Sequence, residues 1–151
     1  MKKKDKELLV KDICSRLPYN NVQVNYDNEI CDCVGYAHGK LILVKKFSSV
    51  SFGVEPECVR PYLRPVSSMA EKEKKELIRC LPLGKYAKYF KVERDGGIET
   101  SDMNDLHYMY FGTKTTSRYI DWLNAHHFDY RRLIDKGLAL PAPEEMYDFK
   151  E

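Results

Sequence analysis

The densest chemistry in this chain lies in sixteen consecutive residues, Tyr119-Ile120-Asp121-Trp122-Leu123-Asn124-Ala125-His126-His127-Phe128-Asp129-Tyr130-Arg131-Arg132-Leu133-Ile134. The His126-His127 pair invites acid–base or metal chemistry. Adjacent residues on a helix point about 100° apart, so they cannot share a ligand face as an i,i+4 pair would. Asp129 does not repair that geometry. The competing assignment is one buried and one exposed histidine near a helix C-terminus, where the dipole favours a cation. Trp122, beside Ile120 and Leu123 on an amphipathic stripe, is expected to be mostly buried and structural.

A second constellation is Arg60-Pro61-Tyr62-Leu63-Arg64-Pro65, two arginines around a ring in a proline-held segment. Guanidinium forks suit phosphate, and a ring face suits a base. Arg60, Tyr62, Arg64, Arg131 and Arg132 are therefore the candidate ligand-binding residues, as a composite anion site. The competing reading pairs the upstream arginines with Glu55, Glu57 and Glu71.

The five cysteines are Cys14, Cys31, Cys33, Cys58 and Cys80. Cys31-Asp32-Cys33 would set two thiols on one face of a strand. Zinc sites use C-x₂₋₄-C pairs with matched partners, so a site from Cys31, Cys33, Cys58 and a histidine is the lesser reading. Reduced, metal-free thiols acting as small buried hydrophobes are expected. Gly35-Tyr36-Ala37-His38-Gly39-Lys40-Leu41 is one residue short of a phosphate loop and has Leu41 where Ser or Thr would hold Mg²⁺, which leaves a hairpin turn. No G-x-S-x-G, H-E-x-x-H or H-x-E is present. The expectation is a non-enzymatic protein with no cofactor and no metal.

The elements that must position these residues follow from periodicity. With 151 residues, 43% hydrophobic and 32% charged, the chain reads as one soluble globular domain over 1–151. Its net charge of +2 gives no global footprint for nucleic acid. Eleven tyrosines suit half-buried positions at a core edge.

Leu9, Ile13 and Leu17 predict a helix over 4–17, closed by Pro18. Alternation predicts strands at 22–26, 30–36, 41–44 and 47–54, with turns at Asp27-Asn28 and Ala37-His38-Gly39. Leu41 to Val44 is apolar enough for burial on both faces. Pro56, Pro61 and Pro65 exclude helix and central strand over 55–68. Ser68-Met69-Ala70-Glu71 reads as a capping box opening a helix to about Cys80. Strands at 87–93 and 97–100 and a helix at 103–111 follow. A helix capped by Thr115 or Thr116 then runs to His127, with Tyr119, Ile120, Leu123 and His127 inward. Asp129 caps a short helix, Tyr130 to Lys136, with Gly137 at its end. Met146, Tyr147 and Phe149 could strap a proline-rich tail to the body. The fold class is α+β: a small antiparallel sheet in the first half, able to curl into a barrel, and a helical second half.

Three segments carry a resemblance. They are 9–19 (Leu-Val-Lys-Asp-Ile-Cys-Ser-Arg-Leu-Pro-Tyr), 60–69 (Arg-Pro-Tyr-Leu-Arg-Pro-Val-Ser-Ser-Met), and 120–131 with Leu133-Ile134 and Gly137-Leu138-Ala139-Leu140. Together these resemble a group of short uncharacterised proteins from prophages and mobile elements of gut Bacteroidales. The match covers about a third of the chain. It departs at Arg132 and near Glu145, where the group would have glycine. The resemblance implies a phage or mobile-element accessory protein acting in the cytoplasm of a bacterial host cell.

The leading functional expectation is a protein that binds a host or anti-phage defence protein. The alternatives are a sponge for a small phosphorylated or nucleotide signalling ligand, and a nucleic-acid-binding accessory protein. No secretory signal follows Met1-Lys2-Lys3-Lys4, and no apolar run is long enough for a membrane span.

Overall fold

The computed structural model describes residues 1–20, 22–81, 90–92, 98–100 and 113–147. The chain divides into two compact units, Met1–Arg64 with Arg131–Glu151, and Pro65–Tyr130.

The first unit is an α+β body of one helix and one sheet. Helix α1 spans Lys3–Arg16. Its inward stripe is Leu9, Asp12, Ile13 and Arg16, spaced i, i+3, i+4, i+7, and none of the four is exposed at all. Two of these buried residues are charged. The Arg16 guanidinium donates twice to Asp12, Nε to Oδ2 at 2.8 Å and Nη2 to Oδ1 at 2.9 Å. Arg131 Nη1 donates to the same Oδ1 at 3.0 Å and to Ser15 Oγ at 3.0 Å. One carboxylate thus neutralises part of two cations across 119 residues of sequence.

The sheet has six strands in the order β4-β3-β2-β1-β5-β8. They are β1 (Val22–Tyr26), β2 (Glu29–Ala37), β3 (Lys40–Lys45), β4 (Ser51–Val54), β5 (Val59–Leu63) and β8 (Leu140–Pro141). The first four form a meander. Its first two hairpins close on two-residue turns, Asp27-Asn28 and His38-Gly39, and all four turn residues have positive φ, from 51° to 79°. Such mirror-image turns match the twist of the flanking strands and favour Asn and Gly.

The sheet is open rather than closed into a barrel, and it is mixed: β8 runs parallel to β5. The core face carries Val22, Val24, Cys31, Cys33, Leu41, Leu43, Val54, Val59 and Leu63. Leu9 and Ile13 of α1 pack on it, as do Leu133, Leu138 and Ala139 of the returning segment.

Several sequence expectations need correction. Residues 47–50 are not strand: Phe47 has φ 67°, and pairing begins at Ser51. The proline segment does hold an inner strand, β5, with Pro61 opposite Val24. It is tolerated because β8 reaches only Tyr62 and Leu63, so Pro61 has a strand neighbour on one side alone. Beside it the Tyr147 hydroxyl accepts from the Gln23 amide at 3.2 Å and donates to the Tyr62 carbonyl at 2.9 Å. The expected strap thus inserts a phenol between β1 and β5, and burial pushes that phenol's pKa up. The helix expected at 130–136 is a series of turns. Arg132 has φ 59°, which a right-handed helix cannot contain, although Gly137 still ends the segment with φ 67° and Leu138 N–H on Leu133 O. Ile42 and Val44 of β3 are only half-buried, against the burial on both faces expected.

The second unit contains α2 (Glu71–Arg79), a hairpin of β6 (Phe90–Val92) and β7 (Ile98–Thr100), and α3 (Thr113–Ala125). Helix α2 starts later than expected. Ser68 Oγ donates to Pro65 O at 2.7 Å within a tight turn, and it is Glu73 that accepts the Ala70 amide at 2.9 Å. Thr115 and Thr116 lie inside α3, so neither caps it. The helix expected at 103–111 lies outside the described residues.

Helix α3 ends on a left-handed residue, His127, with Phe128 N–H on Leu123 O and His127 N–H on Asn124 O. This is the Schellman pattern, with the Phe128–Leu123 apolar contact that accompanies it. Leu77, Ile78, Tyr119, Leu123 and Phe128 form the core of this unit.

Removing one member of a buried ion cluster strands the others without solvent. Asp12→Ala should therefore destabilise the chain by about 3–5 kcal/mol in urea unfolding. A loss within about 0.5 kcal/mol, the range of neutral surface changes, would show that the cluster does not hold the fold.

Candidate functional site

The five candidate ligand-binding residues do not converge. Arg60, Tyr62 and Arg64 alternate along β5 and its end, so they share the sheet face opposite Val59, Pro61 and Leu63. Asn25 Nδ2 donates to the Tyr62 hydroxyl at 3.2 Å. Arg131 is engaged by Asp12 and Ser15 beside α1, and exposed Arg132 pairs with Asp135 at 3.3 Å. The pairing expected for Glu55, Glu57 and Glu71 goes to lysines instead: Glu55 and Glu57 to Lys6, Glu71 to Lys74. Those contacts lower the Glu57 and Glu71 pKa values and raise that of Lys6. Arg60 borders a cleft of about 300 Å³ lined also by Met1, Asp5 and Glu57. A phosphate placed there would meet two carboxylates as well as the guanidinium.

In the second unit His127 is fully buried and His126 half-buried. His126 lies at the helix end with Nδ1 2.8 Å from Trp122 O, so that nitrogen carries the proton. Its ring stacks on the half-buried Trp122 at 3.9 Å between centroids, and Phe128 stacks on the same indole at 5.8 Å. The aromatic density of this segment is therefore spent on the cap and core of α3.

The feature missed by sequence reading is the outer face of the meander. Strand alternation places Ile30, Asp32, Val34, Ile42, Val44, Ser51 and Gly53 opposite the core. A bulge between Cys33 and Gly35 shifts the register there, so Gly35 pairs with Ile42, which pairs in turn with Gly53. The glycines leave the backbone low on either side of Ile42. A Cβ at Gly53 would sit 3.4 Å from the Lys40 stem.

On this face Ile30 is 42% exposed and Val34 43%. At the end of the sheet Tyr36 is also exposed, and in the β3–β4 loop Phe47 and Val50 are. The only signal in sequence was that Leu41-Ile42-Leu43-Val44 is apolar at every position. Taken alone, that run predicts burial on both faces.

Cys31 and Cys33 share a face, as expected, and it is the core face. Burial raises the Cys31 thiol and pushes Cys33 up to about 11. Among the described residues, no group of three His, Cys, Asp or Glu is placed to hold a metal ion. Among the same residues, no helix is long and apolar enough to cross a membrane.

The thiols give a graded prediction. Exposed Cys58 should react first with a thiol reagent, and Cys33 only on unfolding. Because the folded pKa of Cys33 lies above the ordinary value of 9.0, the unfolded chain loses that proton first. Its contribution is intact below pH 9.0 and stability falls from there to about pH 11. Rapid modification of Cys33 in the native protein would contradict the buried placement. No protein family, curated protein or solved structure matches this chain.

Proposed function

We propose that this chain is a non-enzymatic protein-binding module whose docking surface is the outer face of the β1–β4 meander. The observation that carries this reading is the exposure of two aliphatic side chains on β2, Ile30 at 42% and Val34 at 43%. Single exposed hydrophobes are ordinary on a protein surface, but here they border half-buried Ile42 and Val44 on one face. Lys40 and Asn25 stand on the same face toward its borders and supply rim contacts, while Asp32, between Ile30 and Val34 and opposite Val44, places one carboxylate within the patch.

The partner on this reading is a folded protein of the bacterial host, a defence protein foremost, in keeping with the resemblance to mobile-element proteins. Binding of a small phosphorylated ligand is the competing reading. It receives less support because Arg131 and Arg132 are engaged elsewhere and the Arg60 cleft is part acidic.

The test uses Ile30→Glu with Val34→Glu. Both residues face solvent, so the double variant should hold its unfolding free energy within about 1 kcal/mol. Affinity purification from host cells with quantitative mass spectrometry should recover a specific protein with the wild type and lose it with the variant. Equal recovery by both would move the docking surface elsewhere. Calorimetric heat with nucleotides, abolished by Arg60→Ala, would favour the phosphorylated-ligand reading instead.

A further inference from the structure

We propose that β4 is a pairing edge for a second copy of this chain, joining two sheets antiparallel about a two-fold axis. Strand β4 ends the sheet, with β3 on one side and no strand on the other among the described residues. Its outward amides and carbonyls form an open template for another strand. Sheets of monomeric proteins blunt such edges by shortening the strand or with lysine, proline or a bulge; β4, at four residues, is short but carries none of the other three.

The other edge of this sheet follows that rule, since β8 contains Pro141 and Pro143 follows it. The β4 edge has no such residue. Residues 47–54, Phe-Ser-Ser-Val-Ser-Phe-Gly-Val, contain no charge and no proline, and the bulge lies on β2. The loop that leads into the strand also holds the two most exposed large apolar side chains among the described residues, Phe47 at 101% and Val50 at 69%. Phe47 is held in the left-handed region, unfavourable for an aromatic residue, with its ring directed wholly into solvent.

Charge selects the occupant. Lys45 closes β3 and Lys46 opens the loop at the end where β4 begins, and Glu55 directly follows Val54. Antiparallel pairing of two β4 strands sets the lysine end of each copy beside the glutamate end of the other. Parallel pairing would set like beside like. Lys45 already bridges Glu29 at 2.7 Å, which leaves Lys46, lying 6.0 Å from the Phe47 ring, to meet Glu55 of the second copy; within its own chain Glu55 lies 3.5 Å from Lys6, which Glu57 holds more closely at 3.0 Å, so Lys46 would share Glu55 with Lys6. The arrangement is isologous and closed, so it stops at a dimer. The axis is perpendicular to the sheet, so the outer faces of both copies lie on the same side. The inference stands on the edge alone and does not rest on the docking reading.

Sedimentation equilibrium of the full chain over a concentration series tests this directly. The wild type should form a reversible dimer. Lys46→Glu and Glu55→Lys should each weaken self-association by about tenfold or more, and the double reversal should restore it. Thermal unfolding of each variant verifies that it is folded. Hydrogen exchange at the β4 amides should slow as the dimer forms. A wild type that stays monomeric over the series, single reversals without effect, or a double reversal that does not rescue would each overturn the proposal. A monomer that still captures a protein through Ile30 and Val34 would overturn the dimer and keep the docking reading. A dimer that captures nothing would do the reverse.

Discussion

Everything in the sheet unit depends on one buried carboxylate. Asp12 receives both nitrogens of a fork from Arg16 and a third bond from Arg131, with no solvent at the acid or at Arg16. Its geometric effect exceeds its net energetic worth, because a well-packed apolar substitute for such a cluster is often as stable. The cluster fixes the rotation of α1: only one angle turns Leu9 and Ile13 onto the sheet and Asp12 toward Arg131. It also anchors the chain where it returns to the unit, so Leu133, Leu138 and Ala139 enter the same core as Leu9 and Ile13.

The single helix explains the unequal faces of the sheet. Helix α1 and the returning segment bury the side carrying Val22, Val24, Leu41 and Leu43 completely. Strand β3 is nevertheless apolar at four consecutive positions, so two aliphatic side chains must point the other way. A sheet layered on both sides would bury all four. Here Ile42 and Val44 stay half-buried beside exposed Ile30 and Val34. The mismatch between composition and covering, rather than any motif, is the ground on which this face is proposed as a docking surface.

Local chemistry was legible in the sequence and long-range chemistry was not. Helix α1, the first three strands and both tight turns follow from period and turn residues, because each is decided within a few positions. Strand β5 was hidden by Pro61, since only the third dimension reveals that β8 stops short of it. Strand β8 has two residues, too few for any pattern. Arg131 looked like a ligand-binding residue because an arginine beside another arginine advertises phosphate chemistry. Its partner, Asp12, lies 119 positions away. Arg132 occupies the left-handed backbone region that glycine favours, a turn that its residue type does not advertise.

The same division separates function from stability. The outer face belongs to β1–β4, a meander whose contacts are short-range in sequence and whose turns are set by Asn28 and Gly39. The long-range closures meet the meander only along β1 or lie outside it: the β1–β5 pair, the Asp12–Arg131 bond, the parallel β5–β8 pair, and the Tyr147 hydroxyl between Gln23 and Tyr62. None involves Ile30, Val34, Ile42 or Val44. Changes on the outer face therefore leave these closures untouched, whereas the arginines that first suggested a site are partly spent on making them. In this fold, the residues with the most conspicuous chemistry hold the chain together, and plain aliphatic side chains are left at the surface.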